Sequence, residues 1–321
     1  MRFGTYFFLQ APPGRSAADV LVDEVDQMVL AEELGFDSVW LTEHHYADYG
    51  LSAAPSVILA TVAARTKRIR LAIAVYVIPF HHPLRLAEET ATIDILSGGN
   101  RLTVGLGRGN RALEFYGHGI PQQESRGRME EGVQVLLQAW TQERVTFHGK
   151  YWNIDGVPVF PKPLTRPHPP LAFAVTSSES IEWAARNGYA MMSSGLGSPL
   201  AGNLSNRKLY SETLQASGRS QAEIDQLLSC WVVTKHVYVA PTDEEAQADA
   251  REPEMWYRDS FIRSMKADGL VGLHESVYTQ AEAAIARLRS QTWEDLLGEA
   301  LLVGSPETVA GKVEQLRAAG V

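Results

Sequence analysis

Short apolar runs alternate with longer stretches of helically spaced apolar residues from one end of this chain to the other, and that order admits few folds. Phe3 to Leu9 reads as a buried strand. Ser16 with Asp19 makes a capping-box-like start, after which Val20, Leu21, Val25, Met28, Val29 and Leu34 recur at helical spacing until Gly35. Ser38 to Leu41 is a second strand, Pro55 to Arg65 a helix, Ile69 to Val75 a third strand and Pro83 to about Leu96 a helix. Arg101 to Leu106 is strand four and Arg126 to Trp140 a helix. A polar, aromatic, proline-rich excursion over residues 144–170 is expected to hold a small hairpin. Leu171 to Val175, Ala190 to Ser193 and Cys230 to Val239 read as strands five, six and seven, with helices between. A helix through Trp256 and Phe261 comes next, then a less regular stretch from Lys266 to Leu302. Ser305-Pro306-Glu307-Thr308 is a strong helix start, with serine at the N-cap and proline at the first helical position. Val309, Val313 and Leu316 give that last helix its apolar face, and Gly320 ends it.

Strand–helix alternation implies a parallel sheet, and no composition shift marks a linker, so 1–321 reads as one domain. A doubly wound sheet and a closed barrel both fit the pattern, and the repeat count favours a (β/α)8 TIM barrel. Such a barrel takes about 250 residues or more. Only seven strands are legible. The eighth strand and last helix are therefore expected to be absent from this chain, with the natural protein continuing by about 30 residues.

The bulk numbers exclude some functions. The net charge is −9 and no block of Lys or Arg appears, which argues against nucleic acid or an anionic membrane surface as partner. Cys230 is the only cysteine, so neither an intrachain disulfide nor a cysteine metal cluster can form, and a reducing cytoplasmic compartment is the simple reading. The N-terminal apolar run lacks the length and cleavage site of a signal peptide, and no stretch approaches the roughly 20 apolar residues that span a bilayer. The chain is expected to be soluble. Metal chemistry is not expected: His44-His45 and His81-His82 are adjacent pairs, which on a strand point to opposite faces, and no His-Glu-x-x-His helix exists.

The polar residues with chemical potential cluster at strand ends. His44 comes after strand two, where an imidazole titrating near neutral pH suits proton transfer, although a strand-end histidine is more often structural. Gly105-Leu106-Gly107-Arg108-Gly109 invites a dinucleotide reading, but Asn110 stands where the third glycine of Gly-x-Gly-x-x-Gly belongs, and the motif sits at strand four. Glycines there let backbone approach a ligand, and Arg108 offers a planar fork for phosphate. Thr176, Ser177 and Ser180 supply hydroxyls and backbone N–H groups at a helix start, which suits an anion; an ordinary N-cap explains the same spacing.

Several segments in order carry a resemblance. They are Leu41-Thr42-Glu43-His44-His45-Tyr46, then Ile78-Pro79-Phe80-His81-His82-Pro83-Leu84-Arg85-Leu86-Ala87-Glu88-Glu89, then Asp94-Ile95-Leu96-Ser97-Gly98-Gly99-Asn100-Arg101 and Gly105 to Gly109. Arg126, Ser177 with Glu182-Trp183-Ala184-Ala185, Trp256-Tyr257 and Gly304 to Thr308 complete them. Together they resemble the bacterial luciferase-like flavin-dependent monooxygenases, in particular the luciferase α subunit. The resemblance implies a TIM barrel with its site at the C-terminal strand ends. It implies His44 as the catalytic residue, with Glu43 and His45 lining the flavin or bracing the loop. By the same resemblance Arg108 holds the FMN phosphate, and Arg126, Thr176, Ser177 and Ser180 complete the cofactor site. Ala74-Val75 lies where the family has a non-prolyl cis peptide beneath the flavin ring. Phe8, Tyr76, Phe115, Met192 and Trp231 lie near strand ends and are candidates for a substrate pocket, with most such aromatics expected to be core.

The function that the resemblance implies is that of a two-component monooxygenase. Reduced FMN from a separate NAD(P)H:flavin reductase reacts with O2 to a flavin C4a-hydroperoxide, which oxygenates a small organic substrate such as an aldehyde or ketone, with 266–302 as a mobile loop over the site. A homodimer is expected. Gly107 stands where luciferase carries a reactive cysteine, which weakens any expectation of light. Two alternatives remain open: a coenzyme F420-dependent oxidoreductase on the same fold, and a non-catalytic subunit like the luciferase β chain.

Overall fold

A computed structural model describes the chain except for residues 49, 176, 194–199, 269–281, 283, 284 and 287. Chain contacts divide it into two units, Arg2–Ala172 and Phe173–Val321 (with Met1), the division falling within the strand Leu171–Val175.

The first unit carries four strands, β1 (Gly4–Phe7), β2 (Ser38–Leu41), β3 (Arg70–Val77) and β4 (Leu102–Gly107), joined side by side in parallel. Trp40 stands opposite Tyr6 and Ala72, so each strand ends at the same edge of the sheet. Helices α1 (Ala17–Glu33), α2 (Pro55–Arg65), α3 (Pro83–Leu96), a short α4 (Ala112–Gly117) and α5 (Ser125–Thr141) lie between and after them. The periodicity does not announce α4. The central strands β3 and β4 read as near-continuous apolar runs because they are largely buried, and Val39, Leu41, Leu71, Ile73, Val104 and Leu106 are sealed from solvent. The Ser16–Asp19 capping box starts α1, and Pro83 occupies the first turn of α3, where a missing N–H costs nothing.

The strand starts are tied together by polar groups rather than by packing alone. The Glu32 carboxylate accepts the backbone N–H groups of Lys67, Arg68 and Ile69 before β3. The buried Arg101 guanidinium donates to the carbonyls of Ile69, Thr66 and Ser97 and to the Thr66 hydroxyl. Buried Asp94 accepts from the Thr165 N–H and hydroxyl, while Asn100 N–H donates back to that hydroxyl. All these groups sit at the N-terminal edge, where polar satisfaction serves stability, leaving the other edge for function.

Within residues 144–170, β5 (Arg144–His148) and β6 (Asn153–Pro158) form an antiparallel hairpin. Glu131 of α5 accepts the N–H groups of Lys150, Tyr151 and Trp152 in its turn.

Strand β7 (Leu171–Val175) spans the division, and in the second unit α6 (Ser178–Asn187) leads into β8 (Ala190–Ser193). Helices α7 (Leu200–Gln215) and α8 (Gln221–Ser229) precede β9 (Val232–Val233), which pairs with β8 in parallel. The single strand expected from Cys230 to Val239 is two short ones, β9 and β10 (Val237–Val239), separated by Thr234-Lys235-His236. A further strand, β11 (Leu302–Gly304), pairs in parallel with β10 and is followed by a helix at Pro306–Ala318. Three residues are too few to show a period, which is why the sequence places no strand there. The long α9 (Asp243–Asp268) and the helix Trp293–Glu299 bury Ala246, Ala250, Trp293 and Leu296 against Leu301 and Val303. Much of the 266–302 segment lies outside the described residues. Among the described residues no helix is long and apolar enough to cross a membrane.

Candidate active site

At the C-terminal edge of β2, β3 and β4 the first unit assembles two carboxylates and four imidazoles. Glu43, His44 and His45 lie just beyond β2, His81 follows a 3-10 turn after β3, and Glu114 and His118 lie on and at the end of the short helix α4.

Glu43, two residues beyond the end of β2, is fully buried. Its Oε1 accepts from His45 Nε2 at 2.8 Å and from His81 Nε2 at 2.8 Å, and its Oε2 accepts the Val77 N–H at 2.7 Å. Burial alone would push this carboxyl up; the hydrogen bonds from His45 and His81, the His81 charge and the Val77 amide outweigh it and hold the group at about 2. Burial pulls His81 down, yet the Glu43 hydrogen bond and charge carry the imidazole above its ordinary value. A buried charge is tolerable because it is answered by donors on three sides.

His44 turns the other way. Its Nδ1 lies 2.9 Å from Glu114 Oε1, and the same oxygen accepts the His45 backbone N–H at 3.1 Å. Phe8 stacks on the His44 ring at 4.9 Å between centroids. Glu114, on α4, is nearly as buried as Glu43. His118, one helical turn later, donates from Nδ1 to the Glu114 carbonyl at 2.8 Å. Its ring stacks on Phe80 at 4.1 Å with an interplanar angle of 3°, and meets His45 edge-on at 4.8 Å. Burial lowers His118 against that hydrogen bond.

Beside this cluster β3 departs from regular pairing. Its register against β4 shifts between Ile73 and Tyr76, and the Ala74–Val75 peptide is cis. Just past the irregularity Gly107 pairs with Val77, and Gly109 follows the end of β4. A Cβ on Gly107 would come within 2.6 Å of Val75 Cγ2, and one on Gly109 within 2.7 Å of Val77 Cγ1, where φ of +73° further favours glycine. The space beside both glycines is thus taken by side chains of β3 and by Phe115, so close packing within the fold, rather than the approach of a ligand expected from the sequence, is what requires glycine here. Arg108 between the glycines is exposed and makes no hydrogen bond or ion pair with the described residues. Such an exposed guanidinium is a planar donor set that fits a phosphate.

The other expected site residues fall in different places. Arg126 lies on α5, its Nε donating to Glu130 Oε1 at 2.8 Å. Tyr76 is fully buried, its hydroxyl bonded to Ser56 Oγ, and Phe115 is buried against Phe80. In the second unit Ser177 and Ser180 form the capping box of α6. Met192 is buried on β8, and the buried Trp231 indole donates to Ser193 Oγ at 2.8 Å. Thr176 lies outside the described residues. Sequence reasoning missed Glu114 and His118, and gave His81 no role. Nothing in the string Ala112-Leu113-Glu114-Phe115 marks its carboxylate as a partner for a histidine 70 positions earlier.

The whole chain, residues 1–321, matches the model of the luciferase-like monooxygenases. The chain belongs to that family. An uncharacterized protein of Sinorhizobium fredii is 38% identical over 166 residues, 51% of this chain and 48% of that relative. The chain spans about half the length of the first curated relatives it matches, 48% and 56%. The oxygenase component of a flavin-dependent trigonelline monooxygenase from Acinetobacter baylyi is 29% identical over 261 residues, 80% of this chain and 70% of its own length. Among solved structures, a monooxygenase of Streptomyces bottropensis superposes with a TM-score of 0.82 at 28% identity, covering 99% of this chain and 89% of its own. Family and superposition together make the fold the α/β barrel of the luciferase-like proteins.

The ionisation of the buried cluster makes stability depend on pH in a defined way. Glu43 is held below its ordinary value of 4.5, so its contribution is present above that value and lost as pH falls from there towards 2. His81 is raised above 6.5, so its contribution is present below that value and lost as pH rises through the raised one. The stability difference between the native protein and Glu43→Gln is therefore expected to be widest between pH 4.5 and 6.5 and to shrink on both sides. Urea midpoints across a pH series measure it. A difference that stays flat from acid to alkaline pH rejects the ionic pairing.

Proposed function

We propose that this chain is the oxygenase component of a two-component monooxygenase that uses reduced FMN and O2 to oxygenate a small organic substrate such as an aldehyde or ketone. A separate NAD(P)H:flavin reductase supplies the reduced flavin. The observation that carries the reading is a pairing on one edge of one sheet: an exposed Arg108 just past the end of β4, with no partner among the described residues, beside a buried carboxylate–imidazole cluster. Family membership and the flavin-dependent relative from Acinetobacter support it.

In this reading Arg108 holds the cofactor phosphate, and the glycines flanking it let the end of β4 pack closely against Val75 and Val77. Reduced FMN, when bound, supplies the electrons that activate O2. His44 handles the proton at the reacting centre, and Glu43, His45 and His81 hold the floor of the site rigid, since each is committed to a hydrogen bond within it. The polar His44–Glu114 pair in a largely buried position favours a catalytic subunit over a merely stabilising one, because an unused buried pair costs desolvation without return.

Two measurements test the proposal. Anaerobic titration with reduced FMN, followed by tryptophan fluorescence, is expected to show saturable binding that weakens about 10-fold or more in Arg108→Glu, the loss of one charge-assisted pair. Incubation with reduced FMN, a panel of aldehydes and ketones and 18O2 is expected to place the label in product. Binding of reduced F420 with no affinity for reduced FMN sinks the proposal in favour of hydride transfer.

A further inference from the structure

Glu114 Oε1 receives two groups at once, the His45 backbone N–H at 3.1 Å and His44 Nδ1 at 2.9 Å. A backbone N–H can only donate, and an ionised carboxylate can only accept. The oxygen facing both groups is therefore an acceptor for both, and Nδ1 must carry the hydrogen. We infer that Glu114 is a positioning residue that locks His44 in the Nδ1–H tautomer, so that the ring's exchangeable lone pair sits on Nε2.

The surroundings make the lock firm. Glu114 is 4% exposed, so its oxygens have little access to water as an alternative partner. Its helix is short, but its place is fixed by His118, which donates to the Glu114 carbonyl and is itself stacked on Phe80. Phe8 stacks on the His44 ring, and Oε1 lies at its Nδ1. Rotating the imidazole to exchange its nitrogens would set a carbon against the carboxylate and leave a buried charge with one partner fewer. The second carboxylate does the reverse for the neighbouring ring. Glu43 accepts from His45 Nε2, so adjacent histidines are held in opposite tautomers by two carboxylates. Side chains of His44 and His45 thus divide the work: one offers a nitrogen lone pair at Nε2, the other spends its Nε2 proton inside the fold.

The consequence rests on the reading of His44 as the residue that moves a proton: with Nδ1 committed, transfer runs through Nε2, and an imidazolium formed there is stabilised by Glu114. The tautomer itself does not rest on that reading, so the two can fail separately.

The test is long-range 15N–1H correlation on 15N-histidine-labelled full-length protein at about pH 9, where free imidazole is neutral. The His44 signals are assigned by their loss in His44→Gln. The expected spectrum shows a protonated Nδ1 and an unprotonated Nε2. A proton on Nε2, alone or together with Nδ1, overturns the inference. In Glu114→Gln the His45 N–H still demands an acceptor oxygen, so the amide is expected to keep its oxygen towards His44 and the tautomer to persist. In Glu114→Leu, checked for folding by its melting curve, the tautomers are expected to mix. Turnover is expected to fall on the order of 10- to 100-fold in Glu114→Leu with KM little changed, to recover in part in Glu114→Gln, and to fall no further when Glu114→Leu is added to His44→Ala. If His44→Ala turns over normally, the catalytic reading of His44 fails and the tautomer result stands. If His44→Ala is inactive but Glu114→Leu keeps full turnover, the positioning role fails instead.

Discussion

Glu43→Leu is expected to destabilise the protein by about 3–5 kcal/mol, the loss associated with breaking a buried charge pair by removing one partner. The reason lies in the groups left behind. His45 and His81 each lose the acceptor 2.8 Å away, and the Val77 N–H loses its partner at 2.7 Å. Val77 is the last residue of β3, soon after the irregular Ala74–Val75 segment, so the carboxylate ties the end of β2 to the end of β3 where ladder pairing is disturbed. Leucine fills the volume but satisfies none of the three donors, and each unsatisfied buried group costs about 1–3 kcal/mol. Glu43→Gln keeps one acceptor oxygen and is expected to cost less. Urea denaturation near pH 6 measures both, and a loss below about 1 kcal/mol in Glu43→Leu would show that water replaces the carboxylate at little cost.

His44→Ala is expected to reduce formation of oxygenated product by about 10²- to 10⁴-fold, the range that positioned proton transfer contributes. Binding of reduced FMN is expected to remain, because the phosphate contact assigned to Arg108 is untouched. Consumption of reduced flavin and O2 should then continue without labelled product, so the ratio of 18O product to oxygen consumed separates a chemical defect from a binding one. A variant that keeps both product yield and turnover shows that the His44–Glu114 pair serves the fold alone. Since Glu114 would then be a buried acceptor for the His45 N–H with no chemical task, its substitution should affect melting and not rate.

Much of the architecture was legible because burial imposes periodicity. The strands at Ser38–Leu41 and Leu171–Val175 coincide with apolar runs bounded by turn residues, and α2 and α3 begin at prolines that also mark them in the sequence. The places where reading along the chain failed are short or irregular: α4, the break between β9 and β10, and the three-residue β11. A six-residue helix or a three-residue strand makes too few contacts of its own to impose a pattern, and is held in place by its neighbours.

The site divides along the same line. That His44, Arg108 and their neighbours gather at strand ends is set by the order of elements, because parallel strands joined by helices must all finish at one edge. Which carboxylate meets which imidazole is not set by that order. Glu43 and His81 are 38 positions apart, and His44 and Glu114 are 70. Residue types along the chain therefore determined the fold class and the kind of chemistry available. The tertiary structure alone decided the pairing, because the register of β2, β3 and β4 and the placement of a six-residue helix bring distant polar groups to hydrogen-bond distance, and local propensity carries no record of a contact made across the sheet.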